Sequence, residues 1–584
     1  MDNFCESIGV LLQSRMIVVP DYQRAYSWET EMEASEDSQK QVNVFVRDLE
    51  AFVEHSKVNP HKYYLGQLLF ESYDATGSRM GVIDGQQRLT TAVLFVATAL
   101  RWLAANDTLS EGEGALRERL QEDCFLTPHF TRGTFYACLN RLPVSSVETC
   151  AERRLIEAVA YFDKVVSGKH SAEEVRQLLG AVLEANVTSI VIGQDCDAIQ
   201  FFLFQNNRGK QLTRLELAKT ILMQLGINAT GAFPREAFVA TFAEIFRESA
   251  KLEQMIDEDG LLHCAWCVYK GDFVDICTTA DLEKAGRGKA PCDFVMPFTQ
   301  LLRDCAHSLR DFFESEACQS RMIEAESLVI MRPYFWAYPV IAKCHQLGLA
   351  PHDRQRIWRV LESLTVRKRL IGRRAEMEAR IRGAFQAMTK ANAADEWEAV
   401  LKKIRQPAPG EWWWNYWSDR DLEETLRGEI TNGSIAKHLL WRYECARVEQ
   451  VAHGYYLSLR DFDRPEVEHI APQTENNEQP GYGDYILEGD NASKGIVSGH
   501  WMWRLGNLLI LSKSHNCKLG NIAFGEKLDS YVKARVASDV CEIAKSNRTQ
   551  GDLLIWDSAC IKTRTDRIVR LLMDIYCPPS EAEL

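Results

Sequence analysis

The chain has 584 residues, with 82 Asp and Glu against 68 Lys and Arg, and a formal charge of −14. At about 150 residues per domain this makes three or four folding units, long enough for cores that need no disulfide or metal staple. The acidic balance excludes a protein that coats nucleic acid indiscriminately, although screening over about 8–10 Å leaves room for a local basic channel.

The 17 cysteines are scattered and odd in number. MDNFCESIGV has neither a basic n-region nor an apolar h-region, so a reducing cytoplasm is expected. The most apolar long stretch, residues 327–344, is broken by Arg332, Pro333 and Pro339 and reads as buried helices, not a membrane span.

In chain order, residues 16–20 form a short apolar strand stopped by proline, and 42–53 have helical spacing. Residues 63–72 and 80–84 read as two more strands, and a mostly buried helix starts near Gln87. A strand at 187–193 and a helix from 198 complete a mixed α/β domain over 1–220. Helical periodicity dominates 221–456, with loops near 286–291 and 406–410. In 457–584 the order is a strand at VEHIAPQ, a long loop, a strand at WRLGNLLIL, and a helix over about 521–537. The fold class is multi-domain α+β.

Asp84, Gly85, Gln86, Gln87 and Arg88 lie where a strand turns into a helix. Backbone N–H groups and the positive helix end suit a phosphate there, Arg88 can grip it bidentately, and Asp84 can hold Mg²⁺. A polar turn capped by an ordinary aspartate is the competing reading. No G-x-x-x-x-G-K-[ST] pattern occurs, so the chain is not a P-loop NTPase.

The blocks VPDYQRAYSW (19–28), YLG (64–66), DGQQRLTT (84–91) and FQNNRGKQLT (204–213) with Glu216 and Lys219 together resemble the N-terminal domain of the GmrSD-type restriction proteins. Asn207 stands where that family more often has serine or threonine. The resemblance implies a ParB/sulfiredoxin-like fold that binds and hydrolyses an NTP (GTP or ATP) and senses modified DNA. Asp84, Gly85, Gln86, Gln87 and Arg88 would line the nucleotide site, flanked by Tyr22, Gln23, Arg24, Asn206 and Arg208.

In the third region, Glu468-His469-Ile470-Ala471-Pro472-Gln473 is followed by Asn507, 38 positions after His469, and by Asn516 nine further on. A ββα-metal nuclease needs a histidine to activate water, an asparagine to orient it, and a carboxylate with Asn or His on one divalent metal. Adjacent on a strand, Glu468 and His469 point to opposite faces. The segment resembles the HNH domain of the same family. By that resemblance His469 is the general base and Asn507 its orienting residue. Glu468 and Asn516 hold Mg²⁺ or Mn²⁺, Asn521 adds a ligand or a backbone brace, and Lys518 and Lys527 stabilise transition-state charge. Glu468 replaces the aspartate common before the histidine, which moves the carboxylate by about 1.5 Å. His515 is an equally chemical alternative to Asn516.

Weaker signals remain. His263-Cys264-Ala265-Trp266-Cys267 has no second cysteine pair at zinc spacing and reads as buried helical thiols. Arg367, Lys368, Arg369, Arg373, Arg374, Arg380 and Arg382, against Glu376 and Glu378, form the best local candidate for a DNA-backbone contact. Trp412, Trp413, Trp414 and Trp417 suit packing better than stacking on an extruded base.

The leading expectation is a modification-dependent, type IV-like DNA endonuclease of prokaryotic antiphage defence. It would act on double-stranded DNA from modified phage or with a phosphorothioate backbone, with nucleotide as ligand, a homodimer as a possible assembly and no membrane partner. Two alternatives are a phosphorothioate-sensing partner of a DNA-backbone modification system, and a nucleotide-gated sensor whose HNH domain is not the effector.

Overall fold

The computed structural model describes residues 2–577 apart from 34–37, 57–61, 75, 123, 130, 145, 193–197, 206–211, 319–321, 451–457, 460–463, 473–498, 521, 523, 535–537 and 547–555. The chain divides into two compact units: Met1–Trp266 with Asp275–His307, and Cys267–Val274 with Ser308–Leu584. The helical stretch 221–456 is therefore shared between them. One reason is visible in the helix Arg214–Asn228, whose Lys219 and Thr220 bind the main chain at Gln23 and Tyr22 and so belong to the first core.

The first unit is built on a six-stranded mixed sheet in the order β1-β6-β3-β4-β2-β5. Its strands are β1 Asp2–Ser7, β2 Met16–Val18, β3 Tyr64–Ser72, β4 Arg79–Asp84, β5 Phe125–Leu126 and β6 Asn186–Ile192. β4 lies between antiparallel β3 and parallel β2, so every residue from Met80 to Ile83 is buried. It runs through Gly85 into the helix Gln86–Asn106. That helix is apolar nearly all round, as a fully enclosed helix must be. Ala92–Leu100 are buried, against the helices Cys150–Ser167 and Ala172–Leu183. Among the described residues it alone has the length and hydropathy to cross a membrane, and it is the centre of this core.

Among the described residues the second unit is helical around a two-stranded antiparallel pair, β7 Pro465–His469 and β8 Leu508–Ser512, with His469 opposite Leu508. The short helix Lys513–Leu519 follows β8 directly. The helices Gly433–Gln450 and Ser558–Tyr576 pack alongside through Leu439, Leu440, Ile568 and Leu572, which share a core with Leu508 and Ile510. Expected as far as Gln473, β7 ends at His469; the expected second strand begins only at Leu508, because Leu505–Asn507 form a 3₁₀ turn. Cys264 and Cys267 are buried thiols in the helix Glu258–Lys270.

Candidate functional site

In the first unit the DGQQR side chains mostly face the protein's own main chain. Gln86 Nε2 donates to Arg24 O at 3.1 Å and Gln87 Nε2 to Ala25 O at 3.0 Å, while Gln87 Oε1 accepts from Ser27 N–H at 2.8 Å. Gln23 Nε2 donates to the carbonyls of Val82 and Ile83. Arg88 donates to Leu65 O at 3.0 Å and Gln67 O at 2.7 Å. A Cβ on Gly66, at φ +110°, would overlap that guanidinium, and Gly85 is left-handed at φ +89° with Leu68 in the way of any side chain. Only glycine meets both demands, which ties the YLG and DGQQR blocks to one turn. Asp84 remains half exposed, 4.0 Å from Arg88.

The effect is to stiffen residues 20–28. Tyr22 gives its hydroxyl to Glu71 Oε1 at 3.3 Å and packs edge-on against Phe202. Tyr26 and Thr91 share a hydrogen bond at 2.8 Å. Asn206 and Arg208 lie outside the described residues.

The loop so held forms one wall of a cavity of about 350 Å³, within the range of ligand sites. Arg24, Ala25, Tyr26 and Ser27 face Thr149–Ala151, Arg154, Thr213, Glu216 and the segment around Glu258. Three helices begin here. Thr149 and Thr213 each close a capping box, with Glu152 and Glu216, and Asp257 accepts from Gly260 N–H at 2.7 Å. Glu258 accepts from the Thr213 hydroxyl at 2.6 Å, and burial together with Glu216 pushes its carboxyl up to about 7. Burial lowers the Arg24 pKa, partly offset by Glu216 and Asp84. The lining residues 149–154 and 257–259 were not anticipated. The T-x-x-E pattern at 149–152 signals a helix start in the sequence, but not what that start faces.

In the second unit His469 is buried, edge-on to Trp503 at 4.6 Å between ring centres. Burial, with Lys527 nearby, holds its pKa down to about 4, so the imidazole is neutral at pH 7. Asn507 is fully buried and binds main chain near the histidine: Oδ1 accepts from Ala471 N–H at 2.9 Å and Nδ2 donates to Ala471 O at 3.1 Å. Its own carbonyl takes the Ile470 N–H at 2.9 Å. Gly506 lies against the helix Ser558–Tyr576, where a Cβ would overlap Ile561 O, and donates to Thr565 Oγ1 at 3.1 Å. Arg564, also fully buried, caps the same turn by donating to the carbonyls of Leu505, Gly506 and Leu508.

The metal donors expected from the resemblance do not gather. Glu468 Oε1 accepts from Lys527 Nζ at 2.7 Å and from Tyr531 OH at 3.0 Å, whereas Asn516 donates to Glu466 at 3.0 Å. His515 bonds Ser530 at 2.6 Å, and Asn521 lies outside the described residues. No group of three His, Cys, Asp or Glu side chains placed to hold a metal occurs among the described residues. The donor set as it stands does not fit a divalent ion. Lys518 is exposed; Lys527 has no exposed surface, which corrects its expected contact with a reacting phosphate.

The basic segment is also corrected. Arg367 is 0 % exposed and donates to Trp417 O at 2.7 Å and to Asp419 at 2.5 Å. Lys368 caps Ala375 O, Arg369 binds Arg332 O, Arg373 pairs with Asp421 and Arg382 with Asp272. Arg380 is buried with its guanidinium 3.9 Å from the Trp413 ring centre. Arg374 alone of the seven is exposed with no partner among the described residues. Arg367 and Arg380 are thus spent on packing and cannot reach DNA, while Arg373 and Arg382, about half exposed, are held in surface ion pairs. The tryptophans divide: Trp417 is fully buried, as packing requires, while Trp412 is 70 % exposed.

Comparison with known proteins adds two findings. The N-terminal domain of GmrSD restriction endonucleases matches residues 8–223, and the C-terminal domain of GmrSD restriction endonucleases matches residues 416–571. No curated protein matches the chain. The first match spans five of the sheet's six strands and the braced 20–28 loop, the second spans His469, Asn507 and their supports, and between them they cover more than half of the residues: the chain belongs to the GmrSD restriction endonuclease family.

Proposed function

We propose that this protein is a modification-dependent DNA endonuclease of antiphage defence, in which the C-terminal unit cuts DNA by HNH chemistry and the N-terminal unit binds and hydrolyses an NTP and senses the modification. Family membership supports a restriction-type DNA endonuclease with DNA as substrate. The observation that carries the nuclease assignment is the neutral His469 at the end of β7, with Asn507 fixing the two residues that follow. A neutral imidazole can take a proton from water as the water attacks phosphorus. Asn507 acts by setting the main chain that carries the ring.

Mg²⁺ or Mn²⁺ is part of the proposal by resemblance alone, and no step is derived through it, since Glu468 and Asn516 face different partners. The nucleotide is placed in the cavity bounded by Arg24–Ser27, with Gln86, Gln87 and Arg88 as the braces of its wall. Arg24 and Arg154 supply charge for phosphates; the surrounding carboxylates favour a nucleotide arriving with its cation.

The deciding experiment is cleavage of matched unmodified, base-modified and phosphorothioate DNAs, with and without GTP or ATP and with Mg²⁺, Mn²⁺ or chelator. Equal cutting of modified and unmodified DNA would sink modification dependence. Cleavage surviving in His469→Ala would overturn the assignment of the base.

A further inference from the structure

We propose that Lys527 is a positioning residue for His469, with Glu468 as its counter-ion and not a metal ligand. The inference rests on the nuclease reading above. The ammonium has three N–H donors, and three acceptors meet them: Glu468 Oε1 at 2.7 Å, His469 O at 2.9 Å and Ile470 O at 3.2 Å. Asn507 completes the set from elsewhere in the chain, through its carbonyl to Ile470 N–H and its amide to both polar groups of Ala471. From His469 O to Ala471 O, every main-chain polar group is thus held by Lys527 or Asn507.

That arrangement leaves Lys527 nothing with which to reach DNA, since its side chain has no exposed surface. It also commits Glu468. A divalent ion on the same carboxylate oxygen would have to displace an enclosed ammonium, and an ammonium left unpaired in the interior is strongly unfavourable. Tyr531, donating to that oxygen at 3.0 Å, fixes the pair further. The functional consequence lies in the strand end. A base must meet its water within a few tenths of an ångström, and a displacement of about 1 Å costs on the order of a hundredfold in rate.

The test uses the full chain with Lys527→Met, Lys527→Arg and the double variant Glu468→Gln/Lys527→Met, which removes the pair without leaving an orphaned charge. Folding is checked by circular dichroism and melting. The expected result is a loss in kcat of on the order of a hundredfold in both Met-containing variants, KM for DNA unchanged, and partial recovery in Lys527→Arg. The salt dependence of DNA binding stays as in wild type. A lysine that touched phosphate would lower that slope by about one, and this outcome would overturn the proposal. A folded double variant with wild-type kcat would overturn it equally.

Amide hydrogen exchange gives a readout that needs no cleavage: Ile470 and Ala471 should exchange faster in the double variant while the rest of the unit keeps its protection. Unchanged exchange there refutes the brace, even if wild type were to cut none of the DNAs and the nuclease reading itself fell. Mn²⁺ binding followed by electron paramagnetic resonance should be the same in the double variant as in wild type; its loss would return Glu468 to the metal.

Discussion

Lys219, on the helix Arg214–Asn228, donates from its ammonium to the main-chain oxygen of Gln23 at 3.0 Å while almost wholly enclosed. Burial holds its pKa down to about 8 from the ordinary 10.5, against the opposing pull of Asp21 and Glu216. The unfolded chain therefore keeps this proton to higher pH than the folded one. Folding gains from this group as pH rises from about 8 to about 10.5, by on the order of 3 kcal/mol. Urea unfolding of wild type and Lys219→Met at both ends of that window checks the sign. The wild-type advantage should grow toward high pH, and a constant difference would refute the buried charge.

Arg367 and Arg374 stand seven residues apart with opposite fates. Arg367→Met should cost about 3–5 kcal/mol, because Asp419, Trp417 O and Tyr576 O lose a buried partner. Arg374→Ala should stay within about 0.5 kcal/mol. Denaturant midpoints for the two variants decide it, and equal midpoints would restore the picture of a solvated basic stripe.

Gly506 and Gly383 make a second contrasting pair. At Gly506 a methyl group would overlap the main chain of the helix Ser558–Tyr576, so Gly506→Ala should destabilise by at least 1–3 kcal/mol, order of magnitude, and displace Asn507. Nothing crowds Gly383 within the helix Met377–Ala387, and Gly383→Ala should stabilise by about 0.5–1 kcal/mol. Thermal melts give the signs, and a neutral Gly506→Ala would contradict the close approach.

Glu258 sets a pH dependence for the cavity. Its carboxyl titrates near 7, so raising pH from 6 to 8 adds a negative charge to the wall. GTP or ATP affinity should fall over that interval by on the order of five- to tenfold. Glu258→Gln should flatten the trend, which also separates it from titration of the nucleotide. Calorimetry at both pH values checks this; an equally steep fall in the variant would place the nucleotide elsewhere.

The sequence shows β4 and the long helix after DGQQR because β4 is an apolar run that ends at Asp84 and Gly85 and the helix is apolar from Ala92 to Leu100. β1, with its mixed polar pattern Asp2–Ser7, carries no such mark and exists through its pairing with β6. The structure brings the candidates His469 and Asn507 close together, as their motif suggests, but the part their neighbours play is not legible in the sequence. Lys527 reads as an exposed cation beside a nuclease motif; only the fold turns it inward onto Glu468. The run at 367–382 misleads for the same reason, since periodicity cannot tell a solvent-facing arginine from one that ties helices together. The cavity is hardest to foresee, because 24–27, 149–154 and 257–259 meet only in space.

The turn at Leu505–Asn507 draws its support from Arg564 and Thr565, far downstream of the histidine it serves. The consequence is one of timing. During synthesis, His469 and Asn507 emerge well before the helix Ser558–Tyr576 against which Gly506 packs, so the turn that carries Asn507 reaches its final geometry only once that later helix has docked.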